Sequence, residues 1–530
     1  MPSAGKQGAD FLQLSREDAP SRGLTGWLAD AIRTAIMDGR LGTGAPLPAT
    51  RMLAGDLGVS RGVIVEAYQR LADEGLVSGR PGTGTRVLGV SRPAVGSKEA
   101  TGVGVVFGNL TISESSEAFE YPQVSGSREV PGSREVPGSL EISGSAAPGP
   151  LLVPASWRER AEIDLSPGVP DLSGFPRAAW LRAERLVLER ASVADLGYGD
   201  PRGTVALRTE LAGWLARTRG LRTGPGDIII VTGVAQALAL LARVLGRHGH
   251  GEIAVEDPGS RGARDDLAYW GLRPVPVPVD EHGLDVSELA RGDARAVLLT
   301  PAHQFPTGVV LAPQRRRDLL DWAAGADAVI VEDDYDAEYR YDRAPVPALH
   351  ASAPGLVAYA GSTSKTLAPG MRLGWLIPPP GLHADLVEAK YASDLGSPAL
   401  PQLVLARLIA SGELEQHIRL VRKRQRSRRD ALLLALREHL PAARVQGIAA
   451  GLHLLVTFPG LSGPGTPGGP GGSAGSDADL AEAILRTGVL VHPLSWHRQR
   501  PGVPGIVLGY AAHTPGRLHE AARRIARVLA

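Results

Sequence analysis

The chain has no cysteine in its 530 residues. That absence excludes disulfides, thiolate metal centres and a cysteine nucleophile together, and no metal site is expected. Lysine is nearly absent too: of 57 basic residues only Lys6, Lys98, Lys365, Lys390 and Lys423 are lysines. Neither charge sign is in excess, since 57 basic residues face 56 acidic ones. There is then no global attraction to nucleic acid or to anionic membranes, and any nucleic-acid contact must be local. No apolar run approaches the roughly 18 residues of a membrane span. The start, "MPSAGKQGADFLQLSREDAP", lacks the basic end and apolar core of an export signal. A soluble, cytoplasmic protein without a membrane partner is expected.

A chain of this length suggests roughly three or four units. Residues 1–20 read as a disordered tail, and residues 21–88 as a winged helix-turn-helix. Leu24, Leu28, Ile32 and Ile36 recur every four residues, marking one face of a first helix that Gly39 ends. "PLPATRMLAGDLG" predicts a second helix, with Pro48 near its first turn and Gly58 as its stop. Ser60 is placed to cap a third helix running through Val63, Ala67 and Leu71 to Gly75. "LVSGRPGTGTRV" predicts two strands about a glycine turn. Residues 89–162 are rich in glycine, serine, proline and charge, and "SREVPG" at 127–132 repeats at 133–138. So short and polar a repeat cannot stack into a solenoid, so a flexible linker is expected.

From 163 to 530 the apolar runs "DIIIVTG", "EIAVED", "RPVPVPVD", "AVLLTP", "AVIVEDD", "LVAYAGS" and "RLGWLI" alternate with stretches long enough for crossover helices. That pattern predicts an α/β fold with a largely parallel sheet covered on both faces. The large part should span about 205–390 and a smaller α+β part about 391–530. Two arginine-rich stretches, Arg422 to Arg429 and "QRRRDLLDWAAG" at 314–325, are expected to be solvated helix faces rather than further DNA contacts. "GLSGPGTPGGPGGSAGSD" reads as a surface loop.

Ligands on such sheets gather at the carboxyl ends of the strands, where the polar residues of interest fall. Strand alternation puts Asp333 and Tyr335 on one face and Asp334 on the other. Lys365 follows the next apolar strand. A carboxylate, a phenol and a lysine at strand ends suit pyridoxal phosphate, because lysine, unlike arginine, can form a Schiff base. Ser362, Ser364 and Arg372, with the start of the helix in "TGVAQALALLARVL" around Gly233, Val234 and Ala235, offer a phosphate cradle.

These pieces, together with "LPATRMLAGDLGVSRGVIVEAYQRLADEGL", "PGTGTRV", "YGDPRGTVALRTELAGWLARTRG", "VEDPG", "TPAHQFPTG", "VEDDYDAEYRY" and "GSTSKTLAPGMRLGW", resemble the MocR/PdxR-like members of the GntR regulators. In that family a winged helix-turn-helix is joined through a linker to a fold-type I aminotransferase-like domain. The resemblance implies that Lys365 forms the cofactor's aldimine, that Asp333 pairs with the pyridine nitrogen and that Tyr335 meets the ring oxygen. Arg372, Ser362, Ser364 and the backbone about Gly233 would hold the phosphate, and Tyr198 of "YGDPRG" would reach a neighbouring subunit's cofactor. It also implies DNA contacts from Arg51, Ser60, Arg61, Gly82 and Thr83, with the third helix in the major groove.

Three positions depart from the family pattern. Ser260 stands where an aromatic stacks on the ring, Phe305 where aminotransferases tend to have asparagine, and Val507 where they commonly place the arginine that grips a substrate carboxylate. His303 or Gln304 is a candidate to compensate for Phe305. Residues 21–88 hold eight arginines against six acids, an excess so small that DNA affinity should depend on a homodimer. The expected function is a DNA-binding transcriptional regulator that senses a small amine, an amino acid or pyridoxal phosphate itself. Two readings stand beside it: an active aminotransferase, and a regulator whose aminotransferase-like half is a cofactor-free scaffold.

Overall fold

The computed structural model describes residues 14, 19–20, 23–37, 40–80, 84–88, 153–342, 346–458 and 476–529. Gly39, Gly82, Thr83, the hexapeptide repeats and nearly all of the low-complexity insertion lie outside the described residues. The N-terminal helices are Leu24–Met37, Thr50–Asp56 and Arg61–Asp73, followed by the antiparallel strands Val77–Arg80 and Gly84–Val87. Leu28, Ile32 and Ile36 of the first helix pack on Leu53, Ile64, Ala67 and Leu71, whereas Leu24 is only half-buried. Each fully buried aliphatic side chain of this kind contributes about 1.5–3 kcal/mol.

Pro48 stands near the first turn of the second helix, one residue before the N-cap Ala49 and outside the helix proper, and its carbonyl accepts the buried Tyr68 hydroxyl at 2.8 Å. One local expectation needs correction. Ser60 holds the N-cap position of the third helix in extended backbone, but its side chain makes no capping bond. Beneath these helices Arg33 donates twice to Glu74, both contacts at 2.6 Å, in a buried bidentate pair.

The large domain is built on an eight-stranded sheet in the order Ile229–Val231, Gly374–Ile377, Val357–Ser362, Val329–Asp334, Ala296–Leu299, Glu252–Asp257, Arg273–Asp280, Gly283–Leu284. Five adjoining strands are parallel, and Gly374–Ile377 runs against both of its neighbours. All seven runs expected to be strands are therefore in this sheet, and apolar clusters cover both its faces. A second, antiparallel sheet joins Arg444–Gln446, His453–Thr457, Gly505–Gly509 and His492–Pro493.

The boundaries differ from expectation. Helix Ala155–Arg160 lies within the stretch read as linker, and its Trp157 packs on Trp496 with ring centroids 5.2 Å apart. Helix Ala399–Ala410 buries Val404, Leu405, Leu408 and Ile409 in the core of the large part, so the smaller part begins later than residue 391. Neither arginine-rich stretch is simply a solvated face. Arg424 and the buried Arg428 reach Asp171 at 2.8 and 3.0 Å, tying helix Glu413–His439 to the N-terminal segment. In helix Pro313–Ala326, Arg315 pairs with Asp280, and the buried Arg316 donates to the Pro347 carbonyl.

Arg317 of that helix donates to the Gly75 carbonyl of the winged helix at 2.8 Å, and Arg222 donates to Thr34. At Gly75, with φ +75°, a Cβ would lie 2.7 Å from the Pro313 carbonyl oxygen, so only glycine allows this approach.

Candidate cofactor site and nucleic-acid interface

A cavity of about 350 Å³ opens at the carboxyl ends of the central strands. Asp333, Tyr335, Ser362, Ser364, Lys365, Arg372, Val234 and Ala235 all line it, and Gly233 adjoins Arg372. The strand Val329–Asp334 explains the first two. Its pleat turns Asp333 toward the cavity and sends Glu332 and Asp334 to the opposite side. There Asp334 accepts Arg219 Nε at 2.5 Å and the Tyr359 hydroxyl at 2.6 Å, while Glu332 accepts the backbone N–H groups of Leu349 and His350.

Lys365 follows the adjacent strand Val357–Ser362. Its Nζ donates to the Gly168 carbonyl at 2.5 Å, and its own carbonyl accepts the Tyr339 hydroxyl at 2.8 Å. Burial pushes the amine's pKa down, against the pull of Asp336 and Asp333. The neutral, nucleophilic form is thus favoured relative to a solvent-exposed lysine. Asp333 moves the other way: burial, reinforced by the Asp334 carboxylate, raises its carboxyl to about 7. Its Oδ1 is buried with no hydrogen-bond partner.

The anion cradle sits across the cavity. Gly233, at φ +106°, caps helix Val234–Arg247, and a Cβ on it would lie 3.2 Å from both terminal nitrogens of Arg372. Arg372 holds left-handed backbone at φ +51° and has no carboxylate partner among the described residues. An unpaired guanidinium beside a helix N-terminus favours a phosphate. An orphaned carboxyl, a desolvated lysine and an uncompensated cation around one cavity fit pyridoxal phosphate.

Sequence reasoning missed several parts of this site. Gly168, Thr300, Arg261 and His497 also face the cavity. Glu256, pushed up to about 7 by burial, accepts both the N–H and the hydroxyl of Thr300. The pairing of Gly168 with Lys365 spans 197 residues, and no local pattern announces it. Thr300, directly after an apolar strand, carried the one readable signal.

The departures resolve individually. Ser260 caps helix Arg261–Tyr269 by accepting from the Ala263 N–H, and it lines the cavity without an aromatic face. Gln304 is a loop brace, donating to the Pro258 and Phe305 carbonyls and accepting from Thr307. His303 instead lies against Tyr335, with Nδ1 3.0 Å from the hydroxyl. Val507 is fully buried with Leu455 and Leu494 and leaves no cation at that position. Tyr198 is 93% exposed and does not line its own chain's cavity.

On the winged helix, Arg51, Ser60 and Arg61 are all exposed at the starts of the second and third helices. Arg61 Nε lies 3.4 Å from Thr50 Oγ1, so these two helix starts adjoin. Gly82 and Thr83 remain outside the described residues.

A winged helix with an exposed basic helix start, joined to an aminotransferase-type sheet, defines a regulator of composite architecture. Residues 24–87 match the bacterial regulatory proteins of the gntR family, and residues 160–525 match aminotransferase class I and II. The probable rhizopine catabolism regulatory protein MocR of Rhizobium meliloti is 31% identical, over 93% of this chain and 91% of its own length. The pyridoxine biosynthesis regulator PdxR of Corynebacterium glutamicum is 33% identical, over 81% and 82%. Among solved structures, the Pyrococcus horikoshii kynurenine aminotransferase, in a complex with PMP, superposes with a TM-score of 0.62 at 28% identity, covering 69% of this chain and 90% of its own. The chain belongs to the MocR/PdxR-like subfamily of GntR-type transcriptional regulators, DNA-binding proteins that carry a fold-type I aminotransferase-like domain. Among the described residues no helix is long and apolar enough to cross a membrane.

Proposed function

We propose that this regulator is a cytoplasmic homodimer that binds an operator through Arg51, Ser60 and Arg61, joined by Gly82 and Thr83 at the wing tip. Its aminotransferase-like domain holds pyridoxal phosphate and senses a small amine, an amino acid or the cofactor itself. The observation that carries this reading is the orphaned Asp333 Oδ1 sharing a cavity with Lys365 and an Arg372 that has no carboxylate partner. When bound, pyridoxal phosphate would supply an electrophilic carbon reactive toward amines. Lys365 provides the nucleophilic nitrogen, Asp333 keeps a proton at the pyridine nitrogen and Tyr335 faces the ring oxygen. Arg372, Ser362, Ser364 and the N–H groups that follow Gly233 hold the phosphate.

Two features favour sensing over a free-standing enzyme. Val507 leaves the site without the arginine that aminotransferases commonly use on a substrate carboxylate, and Phe305 without the asparagine that commonly faces the cofactor's ring oxygen. The back of the cofactor strand is also wired to the winged helix. Asp334 meets Arg219, which ends the helix before Gly220 and Arg222, and Glu332 lies near Arg316, beside the Arg317 that grips Gly75. The dimer is supported by a run of exposed apolar side chains at Leu181, Leu188, Val193, Leu196, Tyr198 and Val205. Exposed apolar surface of this kind is suited to an interface, and Tyr198 there would reach the partner's cofactor.

The test is the visible absorption of the purified protein with added pyridoxal phosphate, beside Lys365→Ala, combined with operator binding. A band that vanishes in the variant, borohydride fixation at residue 365, and operator affinity that changes with cofactor or amine all support the reading. No band at saturating cofactor sinks it in favour of a cofactor-free scaffold. Sustained transamination of an amino-acid and keto-acid pair instead favours an active aminotransferase.

A further inference from the structure

The loop from Thr300 to Val309 is braced within itself. Gln304 N–H donates to the Val309 carbonyl at 2.8 Å, and Gly308 N–H to the Gln304 carbonyl at 2.7 Å. The loop delivers His303, 3% exposed, to the side of Tyr335. The Tyr335 hydroxyl donates its single proton to the His303 backbone carbonyl at 3.1 Å. The ring Nδ1, 3.0 Å from the same phenol oxygen and 2.9 Å from Asp336 Oδ2, must then be a donor, shared between phenol and carboxylate.

The ring is held in a slot that two glycines make possible. A Cβ on Gly451, at φ +74°, would fall 1.9 Å from His303 Cε1, and one on Gly308, at φ +72°, would fall 3.3 Å from Nε2. His453 closes the slot with ring centroids 5.1 Å apart, its Nε2 facing the Pro306 carbonyl at 3.2 Å. His303, Asp336 and His453 are close enough to suggest a metal site. Yet His303 Nδ1 and His453 Nε2 both face oxygen acceptors, which puts protons where a metal would need lone pairs.

We propose that His303 is a positioning residue that orients and polarises the Tyr335 phenol, giving this site the control of the ring oxygen that an asparagine at residue 305 would otherwise provide. This deepens the cofactor reading and rests on it. A phenol that accepts a hydrogen bond from His303 becomes the better donor once its proton turns from the His303 carbonyl to a ligand oxygen. Asp336 fixes the imidazole tautomer that makes this possible. Asp336 acts on the phenol as well as on the imidazole, and the other ionisable groups around the phenol are Asp333, Glu256 and Tyr510.

The test compares the pH midpoint of the cofactor's visible band in the wild type, Tyr335→Phe, His303→Ala, His303→Asn and Tyr335→Phe/His303→Ala. Both single deletions should move the midpoint in the same direction, by roughly one pH unit. The double variant should move it no further than Tyr335→Phe, and His303→Asn, whose amide N–H can stand in for Nδ1–H, should restore part of the shift. Additive shifts, or a midpoint unmoved by His303→Ala while Tyr335→Phe moves it, overturn the proposal. A second readout needs no cofactor. The cofactor-free protein should show a downfield imidazole N–H proton resonance that is lost in His303→Ala and displaced in Tyr335→Phe. A resonance absent from the wild type, or indifferent to Tyr335→Phe, also overturns it. A wild type with the resonance but no visible band refutes the cofactor reading and leaves the His303–Tyr335 coupling standing.

Discussion

Replacing Asp333 with asparagine should stabilise the cofactor-free protein, and the gain should grow with pH. Burial and the Asp334 carboxylate raise the Asp333 carboxyl to about 7. Its unfolded value is about 3.9. Between these values the folded chain holds a proton that the unfolded chain has released, so stability falls as pH rises through the window and the loss is complete above about 7. At about 1.4 kcal/mol per pH unit, the difference between the variant and the wild type should open by up to about 4 kcal/mol from pH 4 to pH 8. For a domain of this size that is a shift of about 5 °C in melting temperature. Glu332, also raised to about 7 by burial, adds a slope common to both proteins that cancels in the difference, whereas Glu256, pushed up in part by the Asp333 carboxylate, ionises more easily in the variant and adds to the gain. Thermal melts across pH, with and without pyridoxal phosphate, provide the assay. With cofactor the ordering should reverse, because Asp333→Asn removes the carboxylate proposed to hold the pyridine proton and with it the stabilisation that ligand binding confers. A stability difference that stays flat from pH 4 to pH 8 would refute the assignment of Asp333 as a desolvated, unpartnered carboxyl.

Three further outcomes test other parts of the molecule. Arg33→Ala strands the buried Glu74 carboxylate and should cost about 3–5 kcal/mol, seen as an early melting transition of the winged helix with loss of operator binding. Arg51→Ala and Arg61→Ala, at exposed positions, should leave the melt unchanged while each reduces the slope of log affinity against log salt by about 1 if it contacts a phosphate. Gly75→Ala puts a Cβ 2.7 Å from the Pro313 oxygen and imposes left-handed backbone at a cost of about 1–2 kcal/mol, so it should release the winged helix, read as faster proteolysis between the domains.

The sheet was legible because each strand is a short apolar run bounded by turn residues, and the residues that line the cavity were legible because strand ends are where polar side chains leave such runs. What escaped depended on contacts distant in sequence. Arg428 looks like any other arginine in a basic helix until Asp171, more than 250 residues earlier, is found against it. Arg316 reads as one of three equivalent arginines, yet it alone is buried, because it faces the loop that carries Pro347. Helix Ala399–Ala410 falls inside the stretch expected to form the smaller part, but its aliphatic side chains pack with Leu211, Leu215 and Ile230 of the large part. Ser60 shows the converse: residue type and backbone suit a cap, and the capping bond is still not made.

The strand Val329–Asp334 joins these observations. A pleated strand has two faces, and this one carries acid on both: Asp333 toward the cavity, Glu332 and Asp334 away from it. The Asp334 carboxylate raises the cost of ionising both Asp333 and Glu332. Any cation that settles on Asp333 lowers that cost at Asp333. Each rear carboxyl has an arginine to answer it, Arg219 for Asp334 and Arg316 for Glu332, both almost fully buried. Those arginines lie on the helices whose ends touch Thr34 and Gly75 of the winged helix. A change of charge in the cavity therefore has a short, contiguous electrostatic route to the surface on which the DNA-binding unit rests, and it needs no large movement of the sheet. The front of this strand lines the cavity proposed to hold the cofactor, and its back carries the two acids that meet Arg219 and Arg316.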